Sequence, residues 1–376
     1  MVNSHYKLRR PNLFSISLGA IKHNLREIRK LVGFSTKIIA ALKSNAYGFG
    51  LEEVTKVVTS EGVDAVALSD LSDASRVRSL NKKTPILLYA GNIVNSETVT
   101  AVQEMNIMPT ITDLASAQFY SLGAKKIIKA FVKVDVGLMR FGFAQETASK
   151  FIEQISRLPR IKIQGVYTNM HVPADVSGDY IDWQLEQFFS IIRDIECIGM
   201  KIPVKLCASS AMLQYTRYLK LNAVDPGHFL FGLSVPVPRK ISIYLKLAFS
   251  SLQTVLIQVK NVERKKFIHL APIQMHDGLR IGVIPIGLRD GMQSLTSGEV
   301  LVRGCRAPII GKYSLEYTRI NLRKIPEAKV GDQVMIIGSQ GNQLISPQQV
   351  ITSQKFNISA NLPLAIGNSV IRDYIN

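Results

Sequence analysis

The sequence is poor in cysteine and has no long uninterrupted apolar run. Its three cysteines, Cys197, Cys207 and Cys305, lie far apart and form no C-x-x-C pair. This spacing argues against a disulfide framework and a structural zinc site, and it is typical of a reducing compartment. Apolar stretches such as ISIYLKLAF are too short to span a bilayer, and no signal-peptide-like apolar segment follows the charged N-terminus. We therefore expect a cytoplasmic protein without membrane or metal association.

Acidic residues are also scarce. The 28 Asp and Glu stand against 46 Lys and Arg, which gives a formal net charge of +18. Such an excess can indicate a nucleic-acid partner, a membrane surface or small anionic ligands. The basic residues are dispersed in short clusters such as NKK and ERKK, and no zinc-finger or RNP-type motif is present. A dispersed pattern is typical of a solvated surface, so we do not expect a nucleic-acid partner.

What the sequence does contain is a series of short β-rich runs separated by segments of helical periodicity. The runs are KIIAALK (37–43), DAVALS (64–69), PILLYA (85–90), MPTIT (108–112), KAFVKVDV (129–136), KIQGVYTNM (162–170), VKLCAS (204–209) and NAVDPG (222–227). Eight strands alternating with helices predict an α/β fold, a (β/α)8 barrel of the TIM type.

From about residue 240 the pattern changes to apolar runs punctuated by Gly and Asn, such as RIGVIPIGL and QVMIIG, which predicts an all-β domain. We place the barrel at residues 19–240 and the β-strand domain at 241–376. The N-terminal strand, within residues 1–18, is expected to join the second domain.

In such barrels the chemical groups lie at the C-terminal ends of the strands. Polar residues at the predicted ends are Lys43 (first strand), Arg140 (fifth), Asn169 and His171 (sixth), Ser209 and Ser210 (seventh), and Asp225, Gly227 and His228 (eighth). The serine hydroxyls and the backbone N–H groups after the eighth strand suit a phosphate. An amine, an anion pocket and an arginine together suit pyridoxal phosphate, an aldehyde that binds lysine as a Schiff base.

Several motifs in matching order resemble those of the alanine racemase family, the barrel-type (fold type III) pyridoxal-phosphate enzymes. ALKSNAYGFG resembles K-A-N-A-Y-G-H-G, KVDVGLMRFGF resembles K-x-D-T-G-M-x-R-L-G, CASSAMLQY resembles A-N-S-A-A, and NAVDPGHFLFG resembles V-R-P-G-I-x-L-Y-G. VIPIGLRDGM and IIGKYSLEYTRI resemble the I-P-x-G-Y-x-D-G-Y and G-R-V-x-M-D segments. The resemblance implies a homodimeric pyridoxal 5'-phosphate enzyme, with shared active sites, acting at the α-carbon of a small amino acid.

The resemblance also implies a role for individual residues. Lys43 would be the Schiff-base lysine, and Arg140 would donate to the ring's phenolate oxygen and contact the substrate. Tyr47, Ser209, Ser210 and the backbone at Gly227 and His228 would hold the phosphate, and the backbone N–H of Leu315 would face the substrate. Lys133 matches a lysine that is carbamylated in some members and supports that arginine; the alternative is a barrel-interior lysine paired with a carboxylate.

Two departures from the family pattern bear on the reaction. Leu288 stands where the family has the tyrosine that the partner subunit supplies as second base, and neighbouring Arg289 stays protonated and cannot replace it. Asp225 stands where an arginine donates to the pyridine nitrogen. A carboxylate there favours a protonated ring and a stronger electron sink, unless Asp225 merely caps the Pro-Gly turn.

Smaller departures indicate that the site has been rebuilt. Asn169 stands where a ring-stacking histidine is expected, and Ala360 where a phosphate-binding tyrosine is expected. His171, two residues after Asn169, is a candidate catalytic group or a structural loop histidine.

Three hypotheses follow. The first is an amino-acid racemase, alanine by family default, with His171 or water in place of the tyrosine. The second is another quinonoid-forming reaction with Lys43 as the single base: aldol-type cleavage, decarboxylation, transamination or elimination. The third is a non-catalytic cofactor-binding homologue. The family pattern favours the racemase, an isomerase.

Overall fold

The computed structural model describes residues 10–172, 177–210, 213, 221–233, 243–262, 279–356 and 359–376. The chain divides into two compact units, Ala20–Lys246 on one hand and Met1–Gly19 with Leu247–Asn376 on the other. Within the described ranges, no helix is long and apolar enough to cross a membrane.

The strands, in chain order, are β1 (Leu13–Ser17), β2 (Lys37–Ala41), β3 (Ala65–Leu68), β4 (Ile86–Leu88), β5 (Ile107–Ile111), β6 (Ile128–Asp135), β7 (Phe143–Ala144), β8 (Ile161–Thr168), β9 (Val204–Cys207), β10 (Ala223–Val224), β11 (Phe249–Val255), β12 (Gln258–Val262), β13 (Leu279–Ile284), β14 (Glu299–Val302), β15 (Cys305–Pro308), β16 (Thr318–Asn321), β17 (Gln333–Gln340), β18 (Gln343–Ile345) and β19 (Ile371–Ile375).

The helices are α1 (Leu18–Val32), α2 (Leu51–Ser60), α3 (Leu71–Leu80), α4 (Ser96–Glu104), α5 (Leu114–Gly123), α6 (Gln145–Ser156), α7 (Gly178–Cys197), α8 (Pro347–Ser353) and α9 (Asn361–Leu364). A left-handed helical turn spans Lys43–Tyr47, and short 3-10 helices span Gly227–Phe231, Leu288–Asp290 and Met292–Ser294.

The unit Ala20–Lys246 is a closed parallel barrel. Its strands follow the order β2-β3-β4-β5-β6-β8-β9-β10, and β10 pairs again with β2 through Ala223 opposite Lys37 and Val224 opposite Ile38. These strands are the eight predicted runs, so the barrel prediction is confirmed. Their apolar residues are consecutive because a parallel strand is covered on both faces, and β3 and β4 are buried at every position.

All eight barrel strands end one to three residues before the predicted runs do, and β2 and β10 show why. β2 stops at Ala41, because the chain enters the left-handed turn that begins at Lys43. β10 contains only Ala223 and Val224, since Pro226 has no N–H to donate to a ladder and Gly227 turns the chain. Both changes move a site residue from a strand end into a turn.

The second unit is mostly β-structure, as predicted from its apolar runs punctuated by Gly and Asn. One sheet has the order β15-β14-β17-β11-β1-β19, and another has the order β12-β13-β16. β1 pairs antiparallel with β11 and parallel with β19. A strand from the beginning of the chain therefore completes a sheet built from its end.

Asn24, on α1, anchors the 3-10 helix that carries Gly227 and His228. Its Nδ2 donates to Leu230 O at 3.1 Å and to Lys246 O at 2.7 Å, and its Oδ1 accepts the Lys246 N–H at 2.7 Å. The side chain is fully buried. Because buried polar groups are costly when unpaired, this single amide stabilises the segment after β10.

We expect Asn24→Ala to lower the free energy of unfolding by about 2–3 kcal/mol, because three hydrogen-bonding groups lose their partner away from water. Urea unfolding followed by circular dichroism measures this. Lys30→Ala on the same helix is the control: its side chain is 74% exposed and forms a surface ion pair with Glu27, so we expect a change below about 0.5 kcal/mol. Equal effects of the two substitutions would contradict the anchoring role.

Candidate active site

The turn after β2 is left-handed over several non-glycine residues. Ser44, Asn45, Ala46 and Tyr47 have φ of 54, 54, 51 and 55°. Gly48 closes the turn by donating its N–H to Ser44 O at 3.0 Å. Such backbone costs about 1–2 kcal/mol for each residue with a side chain, so the surrounding structure must hold it in place. As a result, Lys43 Nζ lies 6.0 Å from the centroid of the Tyr47 ring.

Gly227 brings several predicted site residues together. A Cβ at this position would lie 3.4 Å from Ser210 Cβ, 3.5 Å from Tyr47 Oη and 3.7 Å from Asp225 Oδ1. Its φ of 44° also favours glycine. The absence of a side chain therefore leaves a small cradle bordered by the Tyr47 hydroxyl and the side chain of Ser210, which suits a phosphate.

His228 and Ser209 flank this cradle. The His228 ring packs edge-on against Tyr47 with 4.9 Å between ring centroids. Burial lowers the pKa of His228 to about 4, and the nearby Lys43 amine acts in the same direction, so the imidazole is neutral near pH 7. Ser209 is half-buried, and its N–H donates to Cys207 O at 2.9 Å.

Asp225 is buried with a hydrogen bond to each carboxylate oxygen. Its Oδ1 accepts the Gly227 N–H at 2.8 Å, as in the turn-capping alternative, and its Oδ2 accepts the Tyr89 hydroxyl at 2.8 Å. Burial raises the pKa of Asp225 above its ordinary value, and the hydrogen bond from Tyr89 and the nearby Lys43 amine oppose that rise. Asp225 thus does more than cap the turn.

Lys133 points into the barrel from β6 and is only 3% exposed. Its amine donates to Asn169 Oδ1, and Asn169 Nδ2 donates to Ala208 O at 2.5 Å. The amine also lies 5.3 Å from the centroid of the Tyr167 ring. Burial lowers the pKa of Lys133 to about 8, and the nearby Arg140 guanidinium acts in the same direction. Its hydrogen-bond partner is thus an amide oxygen and not the carboxylate of the alternative, and carbamylation of Lys133 stays a prediction.

Arg140 is exposed at the end of the loop that follows β6. Asp135 organises that loop: its Oδ1 accepts the N–H groups of Gly137 at 3.0 Å and Leu138 at 2.9 Å, and its Oδ2 accepts the Arg140 N–H at 3.2 Å. The guanidinium carbon of Arg140 lies 6.0 Å from the centroid of the Phe141 ring. The backbone of the arginine is fixed, and its side chain faces solvent.

His171 is held by α7. Its N–H donates to Gln184 Oε1 at 2.8 Å, its carbonyl accepts from Gln184 Nε2 at 3.0 Å, and its ring Nδ1 lies 3.4 Å from Tyr180 Oη. Tyr180 Oη in turn lies close to the position that a Cβ of Gly137 would occupy, at 3.2 Å. His171 is therefore bonded to α7, and its partner Tyr180 lies beside Gly137 in the Arg140 loop.

Leu288 and Leu315 lie together in the second unit. The Leu288 N–H donates to Ser314 O and the Arg289 N–H donates to Leu315 O, both at 3.0 Å. Glu316 accepts from Arg289 at 2.8 Å and from Arg10 at 2.5 Å. The two leucines are 39% and 71% exposed. The two segments that resemble the family's tyrosine and methionine segments are therefore neighbours.

Sequence reasoning missed Tyr89 and Tyr167. Tyr89 follows the apolar run of β4 and resembles a core residue, yet its hydroxyl reaches Asp225. Tyr167 packs against it with 5.3 Å between ring centroids. The position of Tyr89 at the C-terminal end of a barrel strand could have indicated a role in the site, because functional groups lie at these ends. Among the residues that the structure describes, no group of three His, Cys, Asp or Glu side chains is arranged to hold a metal.

Comparisons with known proteins match both units to one family. The protein-family model described as "Alanine racemase, N-terminal domain" matches residues 16–235, and the family model described as "Alanine racemase, C-terminal domain" matches residues 249–374. An alanine racemase from Methanococcus maripaludis is 32% identical over 341 residues, which cover 89% of this chain and 91% of that protein. Alanine racemase 1 from Caldanaerobacter subterraneus is 30% identical over 351 residues, covering 91% of this chain and 89% of that protein. The structure of the Bacillus anthracis alanine racemase with bound L-Ala-P superimposes with a TM-score of 0.88 at 25% identity, covering 98% of this chain and 96% of that one.

We predict that Lys133 makes stability depend on pH. Its folded pKa of about 8 lies below the ordinary value of 10.5, so the unfolded chain binds more protons between these values. Stability attributable to Lys133 therefore rises with pH across that window. Relative to Lys133→Met, the unfolding free energy of the native chain should increase by about 1–2 kcal/mol between roughly pH 7.5 and pH 10.5.

Lys129→Met is the matched control, because Lys129 lies on the same strand and is exposed. Denaturant unfolding at both pH values gives the difference in unfolding free energy between the native chain and each variant. A constant difference between the native chain and Lys133→Met would mean that the amine does not titrate in this window, as expected of a carbamylated lysine.

Proposed function

The chain belongs to the alanine racemase family, and we propose that it interconverts the enantiomers of alanine, or of a similarly small amino acid, with pyridoxal 5'-phosphate as cofactor. The observation that carries the proposal is the convergence of Tyr47, Ser210 and Asp225 on Gly227. Lys43 begins the turn that supplies Tyr47. An amine, a phosphate cradle and an acidic group thus occupy one end of the barrel.

The cradle at Gly227 fits the cofactor's phosphate. A methyl group at this position would be within 3.5 Å of both Ser210 Cβ and Tyr47 Oη, so the space exists because residue 227 is glycine. Tyr47 and Ser210 would offer hydroxyl donors, and the His228 N–H at the start of a 3-10 helix would add a backbone donor, whereas the Gly227 N–H already donates to Asp225 Oδ1 at 2.8 Å. The neutral imidazole of His228 adds no competing charge.

Lys43 would hold the cofactor aldehyde and move the substrate's α-proton. When bound, pyridoxal phosphate withdraws electrons from the α-carbon and so acidifies that proton. An amine at the start of a rigid left-handed turn is held near one position, and fixing a reacting group lowers the entropy cost of proton transfer.

Asp225 would be the partner of the cofactor's ring nitrogen. A carboxylate favours a protonated nitrogen, which increases electron withdrawal from the α-carbon relative to the arginine of the family pattern. Arg140 would donate to the phenolate oxygen and contact the substrate carboxylate, with Asp135 fixing its backbone. Lys133 and Asn169 would support that side of the ring.

Racemisation needs a proton donor on the second face of the α-carbon, and Leu288 cannot serve. We propose that His171 or a water molecule supplies this proton. A homodimer in the cytoplasm is part of the same proposal. Leu288 and Leu315 are exposed, and their two segments are joined by backbone hydrogen bonds. This supports the proposal that the surface around them faces a partner subunit.

The proposal is tested by loading the protein with pyridoxal phosphate, reducing with borohydride and mapping the labelled peptide, alongside a chiral assay with L- and D-alanine. We expect the label on Lys43, and Lys43→Ala should lower the racemisation rate by about 10³-fold or more. Lys37→Ala, at the opposite end of β2, should keep both label and rate. Label at another lysine, or racemisation unaffected by Lys43→Ala, would contradict the assignment.

A further inference from the structure

Tyr89 spans the top of the barrel to reach Asp225. It follows β4, whereas Asp225 follows β10, and two strands, β3 and β2, separate them in the barrel. The Tyr89 hydroxyl nevertheless lies 2.8 Å from Asp225 Oδ2, and both side chains are buried. Such a contact across a barrel end joins the carboxylate to an element that does not neighbour its own strand.

The Tyr89 ring is itself fixed. It packs on Tyr167, whose hydroxyl accepts the Ala90 N–H at 3.2 Å and lies 3.2 Å from Thr110 Oγ1. Burial raises the pKa of Tyr89 well above its ordinary range, with Asp225 acting in the same direction. The hydroxyl therefore keeps its proton and is the donor in this bond.

The groups that face Asp225 come from several elements. They are Lys43 and Tyr47 from the turn after β2, Tyr89 after β4, Cys207 on β9, and the N–H groups of Gly227 and of Ala41 on β2. Tyr47, Cys207 and Tyr89 are protonated, since burial raises the pKa of each. The carboxylate consequently depends on hydrogen-bond donors for much of its stabilisation.

The hydrogen bonds from the Gly227 N–H, the Tyr89 hydroxyl and the Ala41 N–H leave acceptor capacity on Asp225. Oδ1 accepts the Gly227 N–H and Oδ2 accepts the Tyr89 hydroxyl. An ionised carboxylate has about four lone-pair positions, so it can accept a further donor without losing any of these contacts. A protonated carboxyl would instead present an O–H of its own.

We propose that Tyr89 is a positioning residue, which holds Asp225 as an oriented carboxylate so that it can accept a hydrogen bond from the cofactor's ring nitrogen. The role toward the ring nitrogen rests on the proposed function, whereas the coupling between Tyr89 and Asp225 rests on the contacts within this chain. Tyr89 would thus set how strongly the cofactor withdraws electrons without touching the substrate.

The first test is a carboxyl-carbon NMR titration of the loaded protein carrying ¹³C-labelled aspartate, with Asp225→Asn identifying the signal of Asp225. Tyr89→Phe removes only the hydroxyl, and we expect the pKa of Asp225 to rise by about one to two units, because a donor to the charged form is lost. Tyr167→Phe is the matched control: it removes a buried hydroxyl that has no bond to Asp225 and keeps the ring that packs on Tyr89, so the titration should move less than in Tyr89→Phe. An unchanged titration in Tyr89→Phe, or equal shifts in both variants, would overturn the proposal.

The second readout is the ¹⁵N signal of ring-labelled pyridoxal phosphate in the same proteins. In Tyr89→Phe we expect it to move toward the unprotonated position, because a carboxyl group that binds its proton more tightly leaves less proton on the ring nitrogen. A shifted Asp225 titration with an unmoved ¹⁵N signal would overturn the role toward the cofactor. If no cofactor binds at all, the proposed function fails, and the carboxyl titration still tests the Tyr89–Asp225 coupling on the unloaded protein.

Discussion

The left-handed turn from Ser44 to Tyr47 is the constraint on which the candidate site depends. Four non-glycine residues with φ near 50° cost on the order of 4 kcal/mol or more in backbone energy. Packing beyond the turn offsets this: Phe49 stacks on Phe231 with 4.4 Å between ring centroids, and Tyr47 packs against His228. The turn and the 3-10 helix after β10 therefore stabilise each other. Their contact places a lysine, a tyrosine hydroxyl and the Gly227 cradle at one end of the barrel.

The electrostatics of the site follow a common pattern. Asp225 and Lys133 are both buried, and each has a neutral hydrogen-bond donor or acceptor as its side-chain partner, Tyr89 for the carboxylate and Asn169 for the amine. A buried ion pair would neutralise its own charges, whereas a charge solvated by neutral groups remains able to act on a ligand. Burial raises the pKa of Asp225 and lowers that of Lys133, and the hydrogen bond from Tyr89 opposes the first of these shifts.

The sequence predicted the barrel, and it predicted which polar residues lie at one end of it, because both follow from local patterns. Consecutive apolar runs at regular spacing define parallel strands, and the polar residues after them, Lys43 and Asp225 among them, must meet at one end. The left-handed turn was not predictable from S-N-A-Y, which is compatible with ordinary turns. The Tyr89–Asp225 bond joins strands that are not neighbours, and no local pattern encodes such a contact. The Lys133–Asn169 pair likewise depends on the register of β6 and β8.

We propose that this site removes the α-proton of alanine and returns a proton to either face of the α-carbon, although Leu288 stands at the family's tyrosine position. The most direct measurement is proton NMR of L-alanine and D-alanine, each incubated separately with the cofactor-loaded protein in D₂O. We expect both enantiomers to exchange the α-proton for deuterium, and each enantiomer to yield the other. Exchange with complete retention, a product other than alanine, or no exchange from either enantiomer would contradict it.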